Sequence, residues 1–410
     1  MRVGVQSLGV TCRQRPELLV IASTYPRWRG DAEPAFVHEL CQRLTERFRI
    51  IVVCPHAPGA ARTEMLDGVE VVRYRYAPAN LESLVNGGGI IANLRRAKWK
   101  WLLLPGFFMG QAWCCWKILK RARIAAVHAH WLLPQGLIAL LAMALAGARA
   151  PLVITAHGSD VNALSGRLAE RIKSRIVRSA AVVTTVSEPL RKRLQKLAPG
   201  ADIRVAPMGV DLKARFAPDG CLRNQNEILM VGRLVAGKGI ELVLEALALV
   251  RVRVPGVTLT IIGQGPEEDT LRESAAALGL SDSVRFEGPV AQDRLPTFYR
   301  RAGVFVAAFG EAEGFGLVLI EAIGCGCPVI ANEVPAARFV LGENFPAVAV
   351  DCNDSAALAE RIVMLLECPS PNDAGGALLR AKLLARFDWT PAAKEYADLF
   401  SQLIERAGRQ

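Results

Sequence analysis

Short apolar runs alternate with longer stretches of helical length along the whole chain. They read "ELLVIAS" from residue 17, "IIVVCP" from 50, "AAVHAHW" from 125, "APLVITAHG" from 150 and "AAVVTTVS" from 180. The series resumes with "EILMVGRL" from 227, "VTLTIIGQG" from 257, "SVRFEGPV" from 283, "GVFVAAF" from 303 and "CPVIANE" from 327. Apolar residues in these runs are continuous instead of alternating, the mark of strands covered on both faces, and such strands build parallel sheets flanked by helices. Repeated strand and helix units lead to an α/β, doubly wound architecture. At 410 residues, 51% hydrophobic and 22% charged, the chain is long enough for two such units and too apolar for disorder. Between Val210 and Glu227 the stretch "VDLKARFAPDGCLRNQNE" loses apolar content and gains Pro, Gly and Asn. A linker is expected there, dividing a domain over 1–211 from a second over 212–389.

Composition narrows the function classes. No window reaches eighteen uninterrupted apolar residues, and residues 1–16 hold Arg2, Arg13 and Arg15 without the apolar core of a secretory leader, so a cytoplasmic chain is expected. Ten cysteines are scattered with no CxxC pair, and Cys325 and Cys327 sit among Gly and Ile, so all are read as reduced and structural. Up to Asp211 there are 30 Lys+Arg against 14 Asp+Glu, and after it 20 against 25, giving +16 and −5. A basic first half is a solvated surface or a surface that meets a membrane, a nucleic acid or a diphosphate. No zinc-ligand spacing and no aromatic-rich ribonucleoprotein strand accompanies it, so nucleic acid is not expected as a partner.

In open α/β sheets ligands lie beyond the carboxyl ends of strands. "GRLVAGKG", residues 232–239, follows one such run and places Arg233 and Lys238 on one loop ahead of "IELVLEALALV". Two cations with glycines that let amides approach, at the start of a helix, suit a diphosphate; the bland alternative is a pair of surface cations. In "EGFGLVLIEAIGCGCPVIA", residues 313–331, Gly314 and Gly316 permit a tight turn that would aim the amides of Phe315 and Gly316 at anionic oxygens. Glu321, about one and a half turns into the following helix, would accept from vicinal hydroxyls such as those of a ribose. Glu313 would face the sugar beyond the phosphates; otherwise it caps the helix and Glu321 is solvated. His128 and His130 have H-x-H strand spacing with no Cys or acidic partner close in sequence, so cleft lining or core is expected of them instead of a metal site. The sequence contains no D-x-D, and no metal or other cofactor is expected.

Together these segments resemble glycosyltransferase family 4, the retaining, sugar-nucleotide-dependent enzymes of the GT-B fold, in which two Rossmann-like domains face a central cleft. The segments are in matching order from about residue 17: "HAHWLLPQG", "ITAHGSD", "TTVSEPLRKRL", "VAPMGVDLKARF", "GRLVAGKG", "IIGQGP" and the E-x7-E stretch from Glu313 to Glu321. The resemblance implies a glycosyltransferase moving a sugar from a nucleotide-diphosphate donor to a glycan or polyprenyl-diphosphate-linked acceptor in cell-envelope synthesis. It implies Arg233 and Lys238 on the diphosphate, Glu313 and His157 on the transferred sugar, and Gly232, Gly263, Gly265, Gly314, Phe315, Gly316 and Glu321 around the donor. Gly30, His130 and Asp160 would line the acceptor side. "FDWTPAAKEYADLF" resembles the family's closing helix, expected over about 390–410 and packed back on the first domain. Two departures stand out: the glycine pair after the first strand is replaced by "STYPRWRGDAEPAFVHEL", where Gly30 is the one glycine, and "NEVPAARFV" follows "CPVIA" without a glycine. A sugar-nucleotide epimerase of the same fold and a non-catalytic sugar-nucleotide-binding protein are the alternatives.

Residues 94–123, "LRRAKWKWLLLPGFFMGQAWCCWKILKRAR", hold eight Lys/Arg and four of the seven Trp, and no acidic residue occurs between Glu82 and Asp160. Cations at both ends with Trp99, Trp101, Trp113, Trp116, Phe107 and Phe108 between them suit the headgroup boundary of an anionic membrane. Pro105 and Gly106 would interrupt a spanning helix. The expectation is a peripheral protein at the inner membrane face, the alternative being aromatics that pack a first-domain helix.

Overall fold

The structure, a computed structural model, describes residues 15–86, 89–162, 166–367 and 374–409. The stretch holding Arg2 and Arg13 lies outside the described residues. The first sheet contains β1 (Glu17–Ile21), β2 (Arg49–Pro55), β3 (Thr63–Leu66), β4 (Val69–Tyr74), β5 (Ile124–His130), β6 (Leu152–Ala156), β7 (Val182–Thr185) and β8 (Ile203–Val205) in the order β3-β4-β2-β1-β5-β6-β7-β8. The second contains β9 (Asn224–Val231), β10 (Thr258–Ile262), β11 (Val284–Gly288), β12 (Ala302–Ala307), β13 (Val329–Asn332) and β14 (Ala349–Val350) in the order β11-β10-β9-β12-β13-β14. All ladders are parallel except that of edge strand β3 with β4. In both sheets the order reverses beside the first strand of the sheet, a topological switch point that opens a crevice at the carboxyl ends.

Each apolar run quoted above overlaps one of these strands. The central ones are buried end to end, as in Leu152–Ala156 and Ala302–Ala307, because helices cover both faces. The strands without a continuous run are β3, β4, β8 and β14. β4 alternates buried and half-buried positions, and β14 has two residues, so neither carries the two-sided apolar signal.

Three features of the chain differ from the sequence expectation. The segment after Val210 carries two fully buried anchors, Leu212 and Phe216, that its polar composition does not announce, while residues 218–222 are exposed. Arg300 donates to the carbonyls of Ala217 and Arg215, and Arg380 to that of Leu212, so arginines from elsewhere in the chain satisfy its backbone. Pro105 and Gly106 do not interrupt a helix but begin one: Leu104–Arg121 has its proline in the first turn, where no amide is missed. That helix lies on the first sheet, with Phe107 fully buried and Gln111 Nε2 donating to Ala22 O at 3.0 Å. Finally, the eight described cysteines are unpaired thiols, but Cys221 is exposed instead of packed in the core.

The last helix, Trp389–Ala407, starts at the capping side chain of Asp388 and crosses onto the first sheet. Tyr396 is fully buried; its hydroxyl donates to Ala206 O at 2.9 Å and lies 3.4 Å from the hydroxyls of Thr155 and Thr184. Phe400 packs edge-on to Phe48 and His128. At the start of the same helix, Trp389 Nε1 donates to Glu39, which also pairs with Arg215. One buried carboxylate thus ties the first domain, the interdomain segment and the returning helix. Removing a buried aromatic ring costs about 3–5 kcal/mol and a hydroxyl with satisfied partners about 1–2 kcal/mol. Phe400→Ala should therefore lower the urea midpoint strongly and Tyr396→Phe modestly, both followed by circular dichroism; unchanged midpoints would mean the helix adds little to stability.

Candidate active site

Two loops at the carboxyl ends of β9 and β12 build the second-domain wall. Residues 232–239 carry Arg233 and Lys238 ahead of helix Ile240–Arg253, and residues 308–316 carry Glu313 ahead of helix Leu317–Gly324. Gly310 N–H donates to Gly237 O at 2.8 Å, lacing one loop to the other, and Lys238 Nζ lies 2.6 Å from Glu313 Oε2. Burial pushes the Glu313 carboxyl up, but the Lys238 charge and hydrogen bond, the Phe315 amide and Arg233 outweigh it and hold it below the ordinary carboxylate value. The Phe315 amide is therefore turned onto Glu313. Beside the loops a shallow recess is lined by Gly232, Arg233, Lys238, Ile240, Phe309 and Val318. Gly263 and Gly265 stand behind it: Cβ atoms there would lie 1.8 Å from Gly232 O and 2.1 Å from Leu234 O. Both support the Arg233 loop from below instead of facing the recess.

The first domain comes closest to this wall at Gly158 and Gly314. A Cβ on Gly314 would lie 2.0 Å from His157 O, and one on Gly158 would lie 2.6 Å from Gly314 Cα. Only paired glycines allow two backbones so close. Ser187 Oγ donates to Gly314 O at 2.7 Å and Asn162 Nδ2 to Ala312 O at 3.2 Å, completing the seam. Gly316, with φ 87°, precedes the helix. Arg233 also reaches the first domain, with a guanidinium nitrogen 2.9 Å from where a Cβ on Gly89 would stand. Hence His157, Arg233, Lys238, Glu313, Gly314, Phe315 and Gly316 gather around the seam. Among the described residues no group of three or more His, Cys, Asp or Glu side chains is arranged to hold a metal ion.

His157 is half-buried at the end of β6, its Nε2 sharing a hydrogen bond of 3.0 Å with His130 Nδ1. Burial, with the neighbouring His128, lowers its pKa to about 3, so the ring is neutral near pH 7. His130 does not line the cleft; it is fully buried behind His157, and burial pushes its pKa well down. Asp160 is also removed from the cleft. Its carboxylate accepts from the amides of Leu132, His157 and Gly158 at 2.6, 3.1 and 2.9 Å, pinning the ends of β5 and β6 together. Burial raises its pKa against the pull of those amides. Gly30 lies on an exposed turn beside the Arg27–Asp31 ion pair, and the side chain from that loop that reaches the site is Phe36.

Sequence reasoning missed Phe36 and Trp131. Their rings lie 5.1 and 4.8 Å from His157, centroid to centroid, and 6.1 Å from each other. Trp131 has φ 75° and ψ 135°, a region that bulky L-residues enter at a cost of about 1–3 kcal/mol. It is held there by Trp131 N–H to Thr155 O at 2.8 Å and Gly136 N–H to Trp131 O at 3.0 Å, beside the Leu132–Asp160 bond. A tryptophan next to H-x-H hints at an aromatic at a strand end, but nothing in the sequence reveals its conformation.

Glu321 is neither solvated nor open. It is buried, one oxygen accepting from Tyr299 Oη at 2.9 Å, and burial raises its pKa to about 7. The Tyr299 bond and Arg215 pull that value down, and Glu39 pushes it up.

Comparison with known sequences gives the class. The sequence profile "Glycosyltransferase Family 4" matches residues 35–214 and that of "Glycosyl transferases group 1" residues 217–377. A GDP-mannose-dependent alpha-(1-6)-phosphatidylinositol monomannoside mannosyltransferase of Mycobacterium tuberculosis is 33% identical over 302 residues, covering 68% of this chain and 78% of that protein. A phosphatidyl-myo-inositol mannosyltransferase of the same organism is 31% identical over 388 residues, covering 85% of this chain and 95% of the relative. Among solved structures, a sucrose-phosphate synthase from Thermosynechococcus elongatus superposes with a TM-score of 0.77 over 96% of this chain and all of its own, at 21% identity. The chain belongs to the group 1 glycosyltransferases of family 4, and its fold is GT-B.

The seam and the buried carboxylate each lead to an experiment. Gly314→Ala forces a methyl into His157 O, so transfer should fall by about a hundredfold or more while unfolding of the purified variant shifts little; full activity would show that the seam can open at no cost. Folded Glu321 retains its proton to about pH 7 where an unfolded glutamate releases it near 4.5. Stability contributed by this group is thus present below about 4.5 and lost as pH rises to about 7. Glu321→Gln should flatten that part of the wild-type melting-temperature profile, and superimposable profiles would assign the slope to other groups.

Proposed function

We propose that this glycosyltransferase transfers a sugar, with retention of configuration and without a metal ion, from a nucleotide diphosphate to a lipid-linked or glycan acceptor of the cell envelope. The observation carrying this reading is the Lys238–Glu313 pair beside Arg233, facing His157 across the Gly314 seam. Lys238 and Glu313 neutralise each other. With donor bound, Lys238 and Arg233 turn to the diphosphate and stabilise the charge that develops on it, freeing Glu313 to orient the sugar hydroxyls. Glu321 would turn from Tyr299 to the ribose. The glycines at 232, 263, 265, 314 and 316 then shape the donor wall with Phe315. The acceptor hydroxyl attacks C1 from the face the diphosphate leaves; the C1–phosphate oxygen bond breaks, the new glycosidic bond forms, and the hydroxyl proton passes to the departing phosphate oxygen. A neutral His157 suits hydrogen bonding to the sugar. Names of the two mycobacterial relatives, which mention mannose transfer and phosphatidylinositol acceptors, support an envelope glycolipid product.

A membrane site is part of the proposal. Trp99, Trp101, Leu102, Met109 and Trp113 are exposed on residues 98–121, the one described helical stretch long and apolar enough to cross a membrane. Only 28% of it is buried, yet Phe107 belongs to the core, so it supports lying on a surface with one face embedded in the domain. The adjoining helix Leu137–Ala146 adds an exposed stripe of Leu137, Leu141 and Leu145 at four-residue spacing. Exposed Lys98, Lys117, Lys120 and Arg121 flank this face, which suits an anionic bilayer.

Lys238→Ala and Arg233→Ala should each lower transfer at least about a hundredfold, and EDTA should leave wild-type turnover intact, as measured by release of nucleoside diphosphate. Near-normal turnover in either variant, or chelator-sensitive activity restored by a divalent ion, would overturn the metal-free diphosphate clamp. Sedimentation with liposomes should increase with anionic lipid content, weaken with salt and fall when Trp99, Trp101, Leu102 and Trp113 are changed to Ser. Equal binding to neutral and anionic vesicles, or none to either, would remove the membrane site and leave the transferase intact.

A further inference from the structure

We propose that Trp131 and Phe36 form a stacking platform for a six-membered polyhydroxylated ring, so that the acceptor presents a sugar or cyclitol ring at the reacting end instead of a bare lipid phosphate. The inference rests on the transferase reading above and names its acceptor class. Residues 130 and 131 are neighbours at the end of β5, and strand alternation sends neighbouring side chains to opposite faces. Here both rings meet His157, that of His130 stacked at 5.2 Å and that of Trp131 tilted at 4.8 Å. The φ of 75° turns Trp131 out of alternation and onto the cleft side. A half-buried aromatic kept in a region that strains its backbone, with hydrogen bonds on both sides enforcing it, is an arrangement found where a ligand is held. Phe36, the first residue of helix Phe36–Leu44, meets both Trp131 and His157, giving one aromatic corner from two strand ends and a helix start.

The chemistry of the corner selects its occupant. A pyranose or inositol carries C–H groups on a face and hydroxyls around its edge, which suits an indole face beside a neutral imidazole. His157 O meets Gly314 of the donor wall while the His157 ring meets Trp131, so the residue separates the two sides of the site. A ring lying on Trp131 would therefore offer an edge hydroxyl toward the sugar held near Glu313.

Saturation-transfer NMR on the full-length protein tests this without turnover. The probes are methyl α-mannopyranoside, methyl α-glucopyranoside and myo-inositol, with mannitol as a flexible polyol of similar hydroxyl content, each with and without GDP or UDP. At least one ring probe should receive saturation on its C–H groups, mannitol should not, and Trp131→Leu should weaken ring binding about tenfold. Trp131→Phe should restore part of it, and Phe36→Leu should weaken it less. Affinity for GDP or UDP, read as the rise in melting temperature with added nucleotide, should be retained in all three variants, because the proposed nucleotide contacts belong to the second domain. Ring binding unchanged in Trp131→Leu, mannitol equal to the rings, or no ring bound at all would overturn the platform. Nucleotide affinity falling in parallel with ring binding would also overturn it, assigning Trp131 to the donor side or to folding. Absence of donor hydrolysis in the wild type with ring binding intact would instead count against the transferase reading.

Discussion

Two main chains touch at Gly158 and Gly314, and the rest of the site depends on that contact. His157 belongs to the first sheet and Glu313 to the second, and neither sheet contains a complete set of groups for sugar transfer. With no side chain at either position, the carbonyl of His157 comes within a Cβ's reach of Gly314. Ser187 and Asn162 then bond the same loop. A single methyl would separate the walls. The glycines of the E-x7-E stretch therefore serve domain contact as much as they serve the donor.

Charge in the site is arranged so that little is left uncompensated. Lys238 and Glu313 neutralise each other at 2.6 Å, and Glu321 keeps its proton with Tyr299 as donor. Burying unpaired charges would cost several kcal/mol each, so the cleft stays stable by internal pairing. A ligand carrying its own negative charge can displace those pairs with little net change. Glu39 plays the matching part at the hinge, where Arg215 and Trp389 converge on it from the interdomain segment and the returning helix.

The outer face of the first domain follows a different rule. Its helices Leu104–Arg121 and Leu137–Ala146 bury one side against the sheet and leave tryptophans and leucines on the other. An apolar surface of this kind on a domain that already has a full core is not needed for folding. Lysines and arginines around it, with no acidic residue from 83 to 159, give it one sign of charge.

The sequence by itself determined the two parallel sheets, because a strand covered on both faces must be apolar throughout, and it determined the loops that bear Arg233, Lys238, Glu313 and His157, because ligands sit where such strands end. Edge strands β3, β8 and β14 escaped, and with them β4 beside β3, since a short or half-exposed strand needs no continuous apolar run. The tertiary structure alone decided which candidates reach the cleft. His130 and Asp160 flank His157 in the chain or in the fold, yet one is buried behind it and the other is consumed by three amides. Gly30 stays on an outer turn, while Phe36 and Trp131, which no motif singled out, stand beside the catalytic candidate. Side-chain direction at a strand end depends on one backbone dihedral, and the pairing of Lys238 with Glu313 depends on how the chain folds between two residues 75 positions apart. Neither is written in local composition, because both are settled by backbone hydrogen bonds and close contacts between segments far apart in the chain.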